Sequence, residues 1–210
     1  MLVAILTILG FCSGVLTILA AYQKRHLTHY LFKPLTLVFI IAIALLSKNP
    51  VSPFYRQAII AGLLFSLVGD IFLMLPSDRF VPGLVSFLAA HVFYIVAFTS
   101  ESGRALSFWT LIPFVIYGCL MLRLLWPHLG KMRLPVVIYL LVILTMGWTA
   151  AGRRLLTNQE GSLLAFLGAV LFVASDSLLA VDKFKGRFRS AHLLILGTYF
   201  TAQWLIALST

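Results

Sequence analysis

Eight continuous apolar runs restrict what this chain can fold into. Their approximate ranges are 2–21, 33–47, 57–75, 80–99, 107–126, 134–151, 162–180 and 191–208. A helix needs about 20 mostly apolar residues to cross a bilayer, whereas the strands of a membrane barrel are short and alternate in hydrophobicity. The sequence therefore predicts an all-α integral membrane protein with about eight transmembrane helices. The second run is the shortest, and we expect its helix to begin earlier, near Leu27.

Composition excludes a soluble enzyme domain, a disordered chain and a disulfide scaffold. Hydrophobic residues make up 61% and charged residues 10% of the 210 residues, against about 45–50% and about 25% in soluble domains. Eight spans occupy roughly 160 residues, so the prediction is a single polytopic transmembrane domain over residues 1–210. We expect the first run to be a retained span, because it lacks the basic start and cleavage site of a signal peptide.

The net charge of +10 predicts how the chain lies in the membrane. With eight spans both termini lie on one side, and eleven of the 16 Lys and Arg residues fall in the connectors of the opposite side. The positive-inside rule puts those eleven in the cytoplasm and both termini outside. The other five are Lys48, Arg56, Arg104, Arg153 and Arg154. Basic connectors indicate contact with membrane lipids and no nucleic acid or obligate protein partner. The short chain favours a bacterial inner membrane, with the endoplasmic reticulum as the alternative.

Two of the six acidic residues lie inside apolar runs. Asp78, Glu101, Glu160 and Asp182 fall in connectors, whereas Asp70 and Asp176 lie within the third and seventh helices. A charge inside a membrane costs at least about 2.5–3.5 kcal/mol and usually marks a functional site. Each of the two lies about five residues from the cytoplasmic end of its helix, which is a depth of about 7 Å.

We expect the carboxylates of Asp70 and Asp176 to face one cavity. Burial and mutual repulsion then leave one protonated and the other ionised, which makes an acid/base pair. In the alternative, each Asp pairs with a nearby Lys or Arg, or bonds to a helix, without any chemical role.

Several polar side chains are candidates to join that cavity. They are Lys33, Ser66, His91, Tyr94, Ser175, Ser177, Tyr199 and Gln203. His91 and Tyr94 are three residues apart, and Tyr199 and Gln203 are four apart, so each pair shares a helix face. A snorkelling lysine is the alternative for Lys33, and a structural histidine is the alternative for His91. We expect the aromatic residues to be mostly lipid-facing anchors.

A metal site is the main alternative to an acid/base pair of carboxylates. Asp70, Asp176, His91 and His192 are ligand types for zinc, but no two have a spacing such as His-x-x-x-His,. The sequence also lacks a G-x-S-x-G elbow and a glycine-rich phosphate loop. We therefore expect no metal and no cofactor.

The third and seventh helices carry a weak internal similarity. Gly69–Met74 and Ser175–Ala180 both contain an aspartate, and each is followed by an Arg-Phe pair, at an offset of 106 to 108 residues. An offset of four helices predicts two parallel four-helix repeats, which some transporters have. Chance similarity is the alternative.

Five motifs in order along the chain resemble a known family. They are Lys33-Pro34-Leu35-Thr36; Gly69-Asp70-Ile71-Phe72-Leu73-Met74; Phe80, Gly83, Phe87, His91 and Tyr94; Ser175-Asp176-Ser177 with Leu179-Ala180; and Tyr199 through Gln203. Together, over about residues 30–206, they resemble the YhhN-like membrane protein family, whose animal members include lysoplasmalogenase.

The resemblance implies an alkenyl ether hydrolase that needs no cofactor. Its substrate would be a lysoplasmalogen, a lysophospholipid with a vinyl ether at sn-1. Its products would be a fatty aldehyde and glycerophosphocholine or glycerophosphoethanolamine. The family's functional acids map onto Asp70 and Asp176. Such hydrolysis passes through an oxocarbenium ion, as glycoside hydrolysis does, and requires one protonated carboxyl group and one carboxylate. Lys33 is then a candidate contact for the headgroup phosphate, and Tyr199 a hydrogen-bond partner.

Three other functions stay open at this point. A small proton- or cation-coupled transporter would use Asp70 and Asp176 as a relay, although the polar residues crowd one side. A metal-dependent membrane lipid hydrolase is the second. A non-catalytic lipid-binding protein is the third, and the two intramembrane acids argue against it.

Overall fold

Eight helices make up the part of the chain that the structure describes. The structure, a computed structural model, describes residues 1–47, 50–75, 79–100, 108–157 and 161–210. The helices are α1 Leu2–Tyr22, α2 His26–Leu45, α3 Pro53–Met74, α4 Phe80–Ser100, α5 Ile112–Leu125, α6 Arg133–Thr157, α7 Ser162–Ala180 and α8 Ala191–Leu208. Single 3-10 turns flank α5, and a π-helical turn at Val181–Lys185 continues α7. Eight segments of this described part are long and apolar enough to cross a membrane, which confirms the predicted all-α membrane architecture.

Several helix boundaries differ from those of the apolar runs. Helix α2 begins at His26 rather than at residue 33, close to the expected earlier start, so Lys33 lies inside the helix with Pro34 after it. Helix α3 begins at Pro53, four residues before its apolar run, and includes Arg56. Helix α6 continues to Thr157, six residues beyond the apolar run. The assignment of Arg56, Arg153 and Arg154 to connectors was therefore wrong.

Arg153 shows why that boundary was missed. Its side chain is fully buried, Nη1 donates a hydrogen bond to the Tyr55 hydroxyl at 2.9 Å, and the guanidinium lies 4.3 Å from the centroid of the Tyr55 ring. A hydrogen bond and an aromatic face let a charge lie inside a helix bundle. Arg153 therefore does not lie in a connector, and it does not count in the positive-inside argument for the orientation of the chain in the membrane. The connector residues Lys48, Asp78, Glu101, Arg104 and Glu160 lie outside the described residues.

Seven helices form a ring, and the eighth packs outside it. Neighbours around the ring are α1, α2, α3, α4, α6, α7 and α8, and α8 closes the ring against α1 and α2. Helix α5 packs mainly on α6. In two four-helix repeats α1 and α5 would be equivalent, yet α1 contacts two helices of the ring and α5 mainly one. The repeat stays a prediction.

Glycines on α3 allow α4 to pack closely against it. A Cβ atom at Gly69 would lie 2.7 Å from Cε2 of Phe87, and one at Gly62 would overlap the ring of Tyr94. Small residues at helix interfaces of membrane proteins permit such close approach. The two aromatic side chains of α4 are thereby held inside the ring of helices.

One side of the bundle carries most of the described basic connector residues, and we call it the basic side. It is the side where α1, α3, α5 and α7 end, and its connectors include Lys24, Arg25, Arg79, Lys131 and Lys183. Asp70 lies four residues before the last residue of α3, and Asp176 lies four residues before the last residue of α7. Both carboxylates therefore lie toward the basic side.

Candidate active site

Helices α2, α3 and α8 each contribute one side chain to a group around Asp70. Lys33 Nζ lies 2.9 Å from Asp70 Oδ1, and the Tyr199 hydroxyl donates a hydrogen bond to Oδ2 at 2.8 Å. The side chain of Asp70 is 2% exposed. Both carboxylate oxygens thus have a donor, and the positive charge of Lys33 favours the ionised form of the carboxylate.

Helices α4, α6 and α7 form a second group around Asp176. The Tyr139 hydroxyl donates a hydrogen bond to Asp176 Oδ2. His91 Nε2 lies 2.9 Å from the Tyr139 hydroxyl and 3.5 Å from Asp176 Oδ2. With Tyr139 as donor, its oxygen accepts from the Nε2–H of His91, and this proton on Nε2 is assigned from the bond pattern. The Asp176 side chain is 15% exposed, so it is the more accessible carboxylate.

Phe172 lies between the two groups. Its ring centroid is 4.7 Å from that of His91 and 5.5 Å from that of Tyr199, both edge to face. The structure therefore brings both carboxylates to the same side of the bundle and gives each its own partners, with an aromatic ring between the two sets.

A third polar set adjoins Asp70. The Tyr94 hydroxyl donates a hydrogen bond to Gln203 Oε1 at 2.7 Å. Ser66, one turn before Asp70, lies near the Tyr94 hydroxyl but outside hydrogen-bonding geometry. Within the described residues, Ser66 Oγ and Gln203 Nε2 have no hydrogen-bond partner although both are buried. Ordered water is the usual partner of such buried polar atoms.

The serines beside Asp176 bond away from the carboxylate. Ser177 Oγ donates to the Val173 carbonyl at 2.7 Å and accepts from the Tyr117 hydroxyl at 2.7 Å. Ser175 Oγ donates to a backbone carbonyl of α8. Ser177 therefore connects α7 with α5, and Ser175 connects α7 with α8.

Tyr139 and Phe172 were missed by sequence reasoning, which assigned aromatic residues to the lipid-facing surface. A depth comparison identifies Tyr139, because it follows the start of α6 by six residues, or about 9 Å at 1.5 Å per residue. This depth resembles the one expected for the two aspartates. No comparable signal identifies Phe172, because its position between the groups depends on how α7 packs.

The ligand types considered for zinc are not assembled. Among the described residues, no three His, Cys, Asp or Glu side chains are grouped so that they could hold a metal ion. Asp70 is bonded to a lysine and a tyrosine. His192 is exposed, and its ring packs edge-on against Tyr22, with centroids 5.8 Å apart.

The fold and these side chains define a polytopic membrane protein with buried carboxylates on one side of its helix bundle. The sequence matches the model of the YhhN family over residues 28–210. The chain therefore belongs to the YhhN family, which confirms the resemblance seen in its motifs.

Named relatives agree with this assignment. The chain is 29% identical over 199 residues to the "Uncharacterized membrane protein YhhN" of Escherichia coli O157:H7, which covers 94% of both chains. It is 38% identical over 156 residues to "Lysoplasmalogenase TMEM86A" of Bos taurus, covering 72% of this chain and 64% of that protein. "Lysoplasmalogenase TMEM86B" of Homo sapiens is also 38% identical over 156 residues, covering 74% of this chain and 64% of that protein. The comparison with solved structures has no significant match.

Proposed function

We propose that the chain is an alkenyl ether hydrolase that cleaves the sn-1 vinyl ether of a lysoplasmalogen. The products would be a fatty aldehyde and glycerophosphocholine or glycerophosphoethanolamine. Relatives that are 38% identical and named lysoplasmalogenase support this proposal. The observation that carries it is the pair of intramembrane carboxylates on one side, the first ion-paired with Lys33 and the second bonded to a tyrosine and histidine.

The reaction needs one proton donor and one proton acceptor. A proton added to the outer vinyl carbon converts the double bond into an oxocarbenium ion at the carbon that bears the ether oxygen. Water adds to that carbon and loses a proton, which yields a hemiacetal. The hemiacetal hydroxyl then loses its proton as the bond to the glycerol oxygen breaks, which forms the aldehyde, and the glycerol oxygen takes up a proton. The net change is addition of one water molecule, with no oxidant or reductant.

Asp176 is the carboxyl group that we assign as proton donor. It is the more accessible of the two acids, and in the described part of the chain the basic side chain within ion-pair distance is a histidine rather than a lysine or arginine. When His91 carries a proton on both ring nitrogens, Nε2 can pass its proton to the Tyr139 oxygen while the Tyr139 hydroxyl proton moves to Asp176. His91 is then neutral with its proton on Nδ1, Tyr139 is unchanged, and Asp176 has regained a proton. This chain is a route by which the lost proton is replaced.

Asp70 is the carboxylate that we assign as proton acceptor. Lys33 favours its ionised form, and an ionised carboxylate has lone pairs left after two hydrogen bonds. Ser66 Oγ and Gln203 Nε2 are the buried polar atoms that would hold the attacking water nearby. Phe172 lies between the two acids, and its ring face would stabilise the cationic intermediate.

The positive charge of the basic side determines the orientation that we propose for the substrate. The headgroup phosphate would lie there, with the vinyl ether at the depth of the two carboxylates, about one helical turn inside the ends of α3 and α7,. Lys33 is already paired with Asp70, so its predicted contact with phosphate would be shared with this carboxylate. We place the basic side in the cytoplasm of a bacterial inner membrane, with both termini outside, as the positive-inside rule favours.

The test measures aldehyde release by purified protein from lysoplasmenylcholine and lysoplasmenylethanolamine in heavy water. The aldehyde is reduced at once to the alcohol, so that later exchange adds no label. We expect one deuterium on the carbon next to the former carbonyl, in a single configuration, because a fixed acid delivers it to one face. Asp70→Asn and Asp176→Asn should each lower the rate by about 100-fold or more.

Asp182→Asn is the matched control, since Asp182 accepts a backbone hydrogen bond from Phe188 outside the site. We expect this variant to retain wild-type release. If folded wild-type protein releases no aldehyde from either lipid, the proposed activity is wrong. A proton flux in liposomes that Asp70→Asn abolishes would then favour the transporter.

A further inference from the structure

An apolar groove runs along the outside of the bundle between α1, α2 and α8. Its volume is about 450 Å³, and exposed residues such as Phe11 open it to the surrounding lipid. Its walls are one face of α1 from Leu6 to Ile18, with Ile40 of α2 and Phe200 of α8. None of these residues belongs to the two carboxylate groups.

Glycines create the groove, because they leave space where other residues would place side chains. Gly10, Gly14 and Gly197 all line it. A Cβ atom at Gly197 would meet nothing within 4 Å. One at Gly14 would lie 3.3 Å from Cδ2 of Phe200. The space beside Gly197 is therefore open to a larger side chain.

The length of the groove corresponds to one hydrocarbon chain. Twelve residues separate Leu6 from Ile18, which is about 18 Å of helix. An extended chain advances roughly 3.5 Å per three bonds, so about 15 bonds fit this length. The groove therefore has the length of one lipid hydrocarbon chain.

The two ends of the groove differ. At the end away from the basic side, Trp204 Nε1 donates a hydrogen bond to Thr7 Oγ1 at 3.2 Å, which joins α8 to α1 there. Nearer the basic side the groove is lined by neighbours of the Asp70 group. Thr36 follows Lys33 by one turn of α2, and the rings of Phe200 and Tyr199 have centroids 5.4 Å apart.

We propose that this groove binds the single hydrocarbon chain of a lysophospholipid whose phosphate headgroup lies at the basic side. The positive connectors match the charge of the phosphate, and the length of the groove matches one chain. The proposal rests on the proposed function for its choice of lipid. Its test is independent of hydrolysis, because saturated ester lysophosphatidylcholine, which has no vinyl ether, serves as the probe.

The test uses Trp204 as a reporter in nanodiscs. Trp109, Trp126 and Trp148 are replaced by Phe, and quenching of Trp204 fluorescence is measured with lysophosphatidylcholine brominated in mid-chain. We expect saturable quenching that unlabelled lysophosphatidylcholine reverses. Gly197→Leu should weaken binding at least about tenfold, since a few methylene groups in an apolar pocket have effects of this size. Leu193→Phe adds bulk on the same helix outside the groove and should leave affinity unchanged.

Two results would overturn the proposal. Equal quenching by a brominated diacyl lipid, not reversed by lysophosphatidylcholine, would mean that bulk lipid fills the groove. Protection of Trp204 from both probes would mean that another protein surface, such as a second copy, covers it. Quenching as expected without aldehyde release would support the groove and reject the proposed function. Where release is observed, Gly197→Leu should also shift the preference toward shorter alkenyl chains.

Discussion

Lys33 and Asp70 form an ion pair inside the helix bundle, with Lys33 Nζ 2.9 Å from Asp70 Oδ1 and side chains 9% and 2% exposed. Two charges removed from water stabilise a fold only when they stay paired. The partners come from α2 and α3, and Tyr199 of α8 donates to the same carboxylate. The pair thus joins three helices at the point where we place the proton acceptor.

Removal of one charge of the Lys33–Asp70 ion pair should destabilise the fold more than removal of both charges. Lys33→Met leaves the Asp70 charge uncompensated, and we expect it to lower the free energy of unfolding by about 3–5 kcal/mol. The double variant Lys33→Met/Asp70→Asn should regain a large part of this loss. Denaturant unfolding in detergent of the wild type, the two single variants and the double variant measures this double-mutant cycle. Strictly additive effects would contradict the buried pair.

Tyr139→Phe should slow hydrolysis, because it interrupts the hydrogen bonds between His91 and Asp176. We expect kcat to fall by about 100-fold, at the lower end of the range for proton transfer. Tyr117→Phe removes a hydroxyl that bonds Ser177 instead of the carboxylate, and its effect should be at least about tenfold smaller. Equal losses in the two variants, measured as steady-state aldehyde release, would remove Tyr139 from the proton route.

Gly62→Ala should destabilise the fold at the contact of α3 with α4. The added methyl group would overlap the ring of Tyr94 and displace the hydroxyl that bonds Gln203. We expect a loss of about 1–3 kcal/mol, as for other overpacked sites. Gly197→Ala makes the same change where nothing lies within 4 Å, and should be neutral or slightly stabilising. Thermal unfolding compares the two, and similar losses would show that close packing at Gly62 is unimportant.

Chelator treatment separates acid/base hydrolysis from metal-dependent hydrolysis. The proposed mechanism uses Asp70, Asp176 and other side chains but no metal ion, so aldehyde release should persist after dialysis against EDTA. Release that falls with EDTA and returns with zinc would favour the metal-dependent alternative. In that case ligands would have to come together that the described residues do not group.

Particular residues show how far the sequence predicts the site. Asp70 and Asp176 were identified because a charge within an apolar run is rare and costly. Tyr199 was expected as a hydrogen-bond partner, and the structure places its hydroxyl on Asp70. Lys33 was a candidate both for the cavity of the two acids and for the headgroup phosphate, and its ammonium pairs with Asp70. Tyr139 was not identified, because an aromatic residue near the end of a span equally fits the lipid interface.

The sequence by itself determined the number of helices, the depth of the two acids and membership of the family. Hydropathy and rare charges are properties of local segments, so they need no knowledge of neighbours. Only the tertiary structure decided that α5 lies outside the ring, that Phe172 lies between the two acids and that Arg153 is buried on Tyr55. These arrangements depend on which helix faces meet, and nearly uniform apolar helices carry little local information about that choice.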